Sequence, residues 1–140
     1  MPAPFEGGCL CGAVRFEVSS EPVAFMLCHC RDCQYFAGGE PAAIVVASRP
    51  DFSLKQGHPK GYTVKGESGN EVECQFCPEC GTSLFERLGG MPHLWGIMAG
   101  TLDDPGWLKP TAFLWQKSAQ PWAHRDPSIH AFEKGPQSTG

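Results

Sequence analysis

The sequence predicts a mainly β domain. Short apolar runs alternate with polar residues at a period of two, turn-forming residues separate them, and one short stretch alone has helical character. Gly (17) and Pro (13) are plentiful in the 140 residues, which favours tight turns and short strands over long helices.

The elements follow in chain order. In Ala13-Val14-Arg15-Phe16-Glu17-Val18 the alternation is strict, sending Val14, Phe16 and Val18 inward and Arg15 and Glu17 outward. One or two helical turns are expected near residues 31–36. Residues 43–47 are continuously apolar and suit a strand buried on both faces. Residues 52–55 and 62–65 read as half-exposed strands on either side of a turn at Gly57-His58-Pro59. Residues 71–76 alternate again, with Val72, Cys74 and Phe76 on one face, and residues 83–87, 94–98 and 112–116 complete the strands. Trp95, Trp107, Trp115 and Trp122 crowd the C-terminal half, where they are expected to pack the core, with one or two walling a pocket. The chain reads as a single domain over residues 1–132 with a flexible tail over 133–140.

Composition narrows the function classes. The net charge is −4, and the eleven basic residues are scattered singly, which argues against a groove that tracks nucleic-acid phosphates. No run approaches the roughly 18–20 apolar residues of a membrane span. The opening residues lack the basic and apolar regions of a secretory signal, so a cytoplasmic, reducing setting is expected. Eight cysteines in such a setting point to metal ligation rather than to disulfides.

Those thiols fall into three clusters. In Cys77-Pro78-Glu79-Cys80-Gly81 the two-residue spacing lets a tight turn aim two thiolates at one tetrahedral ion. Pro78 pre-sets φ, Gly81 can leave the turn at positive φ, and turn N–H groups can face the sulfurs. Cys9-Leu10-Cys11-Gly12 is the natural second half, giving a structural zinc on Cys9, Cys11, Cys77 and Cys80. Such a site contributes roughly 10 kcal/mol or more of apparent binding free energy to folding.

Cys28, Cys30 and Cys33 form the third cluster, at the start of the expected helical turn. Three ligands and one open position is the arrangement of catalytic zinc, whereas recruitment of Cys74 would close the site with four sulfurs. Cys74 as a plain buried residue is the third option. His29 is open to a ligand, an acid–base or a plain surface role, and its place between two ligands in extended chain turns it away from the metal. Arg31 and Asp32 read as supporting or solvated residues, and His58, His93, His124 and His130 lack ligand spacing.

Taken together, Gly8-Cys9-Leu10-Cys11-Gly12, Cys28-His29-Cys30-Arg31-Asp32-Cys33 and Phe76-Cys77-Pro78-Glu79-Cys80-Gly81, with the Trp-rich segment to Trp122, resemble the glutathione-dependent formaldehyde-activating enzyme family. That family is also described as S-(hydroxymethyl)glutathione synthase-like and related to centromere protein V. The resemblance implies a β fold similar to the methionine sulfoxide reductase B-like (β-tent) domains. It implies structural zinc on Cys9, Cys11, Cys77 and Cys80 and a second, more labile zinc on Cys28, Cys30 and Cys33, which would be the catalytic set. The implied activity is a carbon–sulfur lyase reaction that forms or cleaves S-hydroxymethylglutathione, with glutathione as co-substrate and an aldehyde as the other partner. A non-enzymatic glutathione- or thiol-binding protein and a zinc-dependent interaction module are the alternatives.

Overall fold

The structure, a computed structural model, describes residues 3–135 and is built from two sheets. Strands β1 (Phe5–Gly8), β2 (Arg15–Val18) and β5 (Phe52–Gln56) form a small antiparallel sheet in the order β1-β2-β5. Seven strands form the large sheet: β3 (Ala24–Cys28), β4 (Ala42–Ser48), β6 (Lys60–Lys65), β7 (Glu71–Phe76), β8 (Ser83–Leu88), β9 (Leu94–Met98) and β10 (Ala112–Leu114). Their order is β10-β3-β4-β9-β8-β7-β6, antiparallel throughout except that β10 runs parallel to β3. The one α-helix among the described residues, α1, spans Arg31–Ala37 and ends on Gly38 in the left-handed region.

The mainly β expectation holds, and the runs at residues 13–18, 43–47, 52–55, 62–65, 71–76, 83–87 and 94–98 all contain strands. Two strands, β1 and β3, carry too little alternation to be read from sequence. The first is Phe-Glu-Gly-Gly and the second is apolar with half-buried residues. The expected strand over 112–116 stops at Leu114 because Trp115 takes a left-handed conformation (φ 56°) and opens a short 3-10 turn. Strands β5 and β6 flank one turn yet belong to different sheets.

Period-two alternation along β4 divides the interior in two. Val45 and Ala47 join Phe16 and Val18 of the small sheet with Phe85, Trp95 and Ile97 in the core between the sheets. Phe52 and Phe85 meet edge-on at 5.0 Å, and Phe16 and Phe85 at 5.4 Å. Ile44 and Val46 face the other way, into a second cluster with Cys28, Cys33, Ala42 and Met98, covered by Phe36 of α1 and by Trp115. One face of the large sheet is therefore spent on stability, where truncating a residue such as Phe16 costs about 3–5 kcal/mol. The opposite face is where the middle cysteine cluster lies.

Residues 130–134 run beside β10. Phe113 donates to the His130 carbonyl, Phe132 donates back to Phe113, and Trp115 and Lys117 donate to Lys134 and Glu133. Glu133 and Lys134, assigned by sequence to a tail, thus carry backbone hydrogen bonds, whereas 136–140 lie outside the described residues.

Candidate metal centres

All eight cysteines are free thiols, and seven of them gather into two groups. In each group the sulfurs lie within 4.8 Å of one another.

The first group joins the chain just after β1 to the turn just after β7. Cys9 and Cys11 are 3.5 Å apart, and Cys11 lies 3.8 Å from Cys77. The turn is closed by Gly81 N–H donating to the Cys77 carbonyl at 2.8 Å, and Gly81 takes φ 78°, which a side chain would strain. Amide hydrogens point at sulfur as the motif requires: Val14 N–H donates to Cys9 at 3.2 Å and Glu79 N–H to Cys77 at 3.4 Å. Cys80 is held down to about 6, first by the Thr82 hydroxyl 3.1 Å away and then by the Thr82 amide. Burial opposes ionisation of Cys9, but the Val14 amide and the Cys11 and Cys77 thiols outweigh it, so its pKa is lowered. Cys11, beside Cys9, is pushed up to about 12 as the partner that keeps its proton. Four soft donors within 4.8 Å of one another, two of them held toward the thiolate, suit a closed zinc site.

The second group is built where β3 runs into α1. Cys28 ends the strand, Cys30 caps the helix with its sulfur accepting the Cys33 amide at 3.3 Å, and Cys33 sits in the first turn. Cys30 is pulled down to about 3 because the Cys28 and Cys33 thiols, and then backbone amides, all stabilise its thiolate. Cys28 and Cys33 are pushed up as the partners that keep their protons. Three sulfurs without a fourth suit a zinc ion with one position left for another ligand. Cys74 is not among the converging sulfurs; it is buried on β7 and pushed up to about 12, chiefly by burial and then by the nearby Glu86.

A cavity of about 960 Å³ opens in front of this group. Cys30, Cys33, Cys74 and Glu86 line it at the sheet, and Val64, Val72, Leu88 and Trp115 add apolar wall. Arg31, Asn70 and Lys134 reach it with polar groups. Across the cavity, Glu67 from the β6–β7 turn accepts from Lys117 and Lys134 at 2.9 Å each. Of the tryptophans, Trp95 is core, Trp107 packs edge-on against Phe5 at 5.3 Å, Trp115 walls the cavity and Trp122 is exposed.

Sequence reasoning did not find three residues of this site. Glu86 is 5% exposed and lies 3.7 Å from Cys33 Sγ, and burial, reinforced by the Cys30 charge, pushes its carboxyl to about 7. The overlooked signal is its phase, since Leu84 and Leu88 flank it at the spacing of one strand face. Glu40 is the second. His29 faces away from the sulfurs, is fully buried, and meets Glu40 at 2.7 Å through Nδ1, so it is no surface residue. Gln34 is the third, donating to the His29 carbonyl at 2.7 Å and to Ser118 at 3.2 Å. Glu40 also accepts the Gln120 amide at 2.8 Å. These bonds tie the cysteine loop to the segment that carries Trp115.

Two sheets joined by one closed set of four thiols, with an open set of three at a cavity, define a β protein with two cysteine clusters able to hold metal ions. The chain belongs to the glutathione-dependent formaldehyde-activating enzyme family, whose model matches residues 4–118. A Halomonas elongata protein named for that activity is 34% identical over 109 residues, covering 71% of this chain and 66% of the relative. An uncharacterised lyase of Schizosaccharomyces pombe is 28% identical over 81 residues, covering 58% of this chain and 56% of the relative. The chain thus spans a little under two thirds of the first relative's length and just over half of the second's. The crystal structure of a Rhodobacter sphaeroides protein shares the fold with a TM-score of 0.57 at 23% identity, over 75% of this chain and 91% of that one.

Proposed function

We propose that this protein is a zinc-dependent carbon–sulfur lyase that forms or cleaves the adduct of formaldehyde with glutathione. The observation that carries the reading is the open set of three thiols at the wall of a cavity of about 960 Å³, within the range of small-molecule sites. Cys9, Cys11, Cys77 and Cys80 would hold a structural zinc, and Cys28, Cys30 and Cys33 a second zinc that serves the chemistry. When bound there, zinc supplies Lewis acidity that favours the thiolate form of an incoming thiol or polarises a carbonyl.

In the forward direction the thiol sulfur adds to the aldehyde carbon. The C–S bond forms, the carbonyl π bond breaks, and the thiol proton ends on oxygen; cleavage is the reverse. The protein's own groups bind and orient. Trp115, Val64 and Val72 exclude water from one side of the cavity. Arg31, Asn70 and Lys134 offer donors to the carboxylates of a peptide thiol. The network of His29, Glu40, Gln34 and Gln120 holds the cysteine loop in place behind the sulfurs. The eight free thiols fit a reducing, cytoplasmic setting. No helix among the described residues is long and apolar enough to cross a membrane.

The test is the rate at which formaldehyde and glutathione approach equilibrium, read by NMR exchange with and without protein. The reading expects acceleration over buffer that saturates with glutathione and disappears in Cys30→Ser. Glutathione binding without acceleration would make the protein a carrier and overturn the lyase assignment.

A further inference from the structure

We propose that Glu86 reads the hydroxyl group of the thiol–aldehyde adduct, accepting its O–H while the adduct sulfur lies beside Cys33. This deepens the function proposed above and rests on it. Glu86 is 5% exposed yet lines the cavity, and its hydrogen bond is to Cys33 Sγ, 3.7 Å from Oε2. Among the described residues no Lys, Arg or His pairs with it. A buried carboxyl with no basic side chain to pair it is costly in a purely structural role, and such groups concentrate where a ligand completes them.

The fold makes room for this side chain. Glu86 is the register partner of Gly96 on β9. A Cβ on Gly96 would lie 3.2 Å from both the Glu86 Cβ and its carbonyl oxygen, and 3.3 Å from Ile44 Cγ2. The absent side chain lets Glu86 lie on the sheet beside the sulfurs, next to its other cross-strand partner Cys74. Around it the cavity is thiol and hydrocarbon: Cys33 and Cys74 on one side, Leu88, Val72 and Trp115 on the other.

That placement discriminates between ligands. In an S–CH2–OH group the hydroxyl is two bonds from sulfur, so a sulfur seated beside Cys33 brings the hydroxyl within reach of Glu86. A plain S-methyl thioether has only a methyl hydrogen in the hydroxyl's place and offers the buried carboxyl no donor from the ligand. A site built to bond a hydroxyl rejects the analogue that lacks it far more strongly than an apolar pocket rejects an added group. Glu86 is thereby a specificity residue for the adduct over simple S-alkyl thiols.

Calorimetry on the protein as purified tests this with two ligands, glutathione held in excess formaldehyde and S-methylglutathione. The wild type is expected to bind the hydroxymethyl adduct about tenfold or more tightly than the S-methyl compound, as one hydrogen bond to a charged group implies. Glu86→Met should equalise the two, whereas Glu86→Gln, which keeps an acceptor oxygen, should retain most of the preference. Equal affinities in the wild type overturn the role of Glu86 whether or not the methionine variant folds, and leave the proposed function standing. A preference undiminished in Glu86→Met overturns it too. Failure of both compounds and of glutathione itself to bind overturns the proposed function, and this inference with it.

Discussion

The two cysteine groups invert a common intuition about exposure. The closed set of four includes two exposed sulfurs, Cys11 and Cys80, whereas the open set of three is buried or half-buried. Chemical openness comes from the count of converging ligands and from what lies in front of them. The four-thiol set sits in turns at the sheet ends, with one another as partners and amides behind them. The three-thiol set lies on a sheet face, with a cavity in front and a buried hydrogen-bond network behind. A reactive ion needs a dry, shaped space more than it needs solvent, and a structural ion needs neither.

That contrast breaks most visibly at the cysteines. Cys77→Ser should leave no cooperative thermal transition. Loss of a structural zinc worth roughly 10 kcal/mol removes an amount comparable to the whole stability of a small domain. Circular dichroism against temperature reads this. A Cys77→Ser protein that melts like the wild type would reverse the roles of the two groups.

Cys30→Ser should keep a cooperative transition, lose one zinc per chain by elemental analysis and lose the acceleration of the formaldehyde reaction. If it instead unfolds as Cys77→Ser is expected to, both groups are structural.

His29→Ala sharpens the comparison by removing the support behind the open set. It strips Glu40 of its 2.7 Å partner and should cost about 1–3 kcal/mol by chemical denaturation, the penalty of a buried group left short of a bond. It should also weaken zinc retention at the second centre while leaving the first intact. Equal retention at both would make His29 a packing residue only.

The smallest effect is expected on the closed side. Arg15 donates to Asp103 through both guanidinium nitrogens, at 2.9 and 2.5 Å, but the Arg15 side chain is 33% and the Asp103 side chain 55% exposed, so water screens the pair. Arg15→Gln should therefore cost at most about 1 kcal/mol. The Arg15 bond holds Asp103 below the usual aspartate value. A depressed folded-state pKa contributes stability above the unfolded value, lost as pH falls through the folded one, so wild type and variant should converge in acid. A difference that grows in acid would contradict the pairing.

What the sequence made legible follows from the range of each signal. The turn at Cys77-Pro78-Glu79-Cys80-Gly81 is local, so its spacing, glycine and amide geometry were readable without the fold. The two-faced burial of β4 was equally plain from its unbroken apolar run. Glu86 was not, because its meaning depends on Cys33 and Gly96 arriving from other elements. His29 stayed open between ligand, acid–base and surface roles because Glu40 and Gln120, which explain its burial, lie 11 residues from it and 80 residues from each other. Trp115 was taken as strand because nothing in its neighbours announces the left-handed turn that lays it over the cavity.

The most direct test of two unequal metal centres is zinc per chain during stepwise dialysis of the wild-type protein against a chelator, with folding followed in parallel. Two ions are expected at the start, the first leaving a folded protein and the second leaving only as the protein unfolds. Simultaneous loss of both with the fold, or a folded protein that never held zinc, would contradict it.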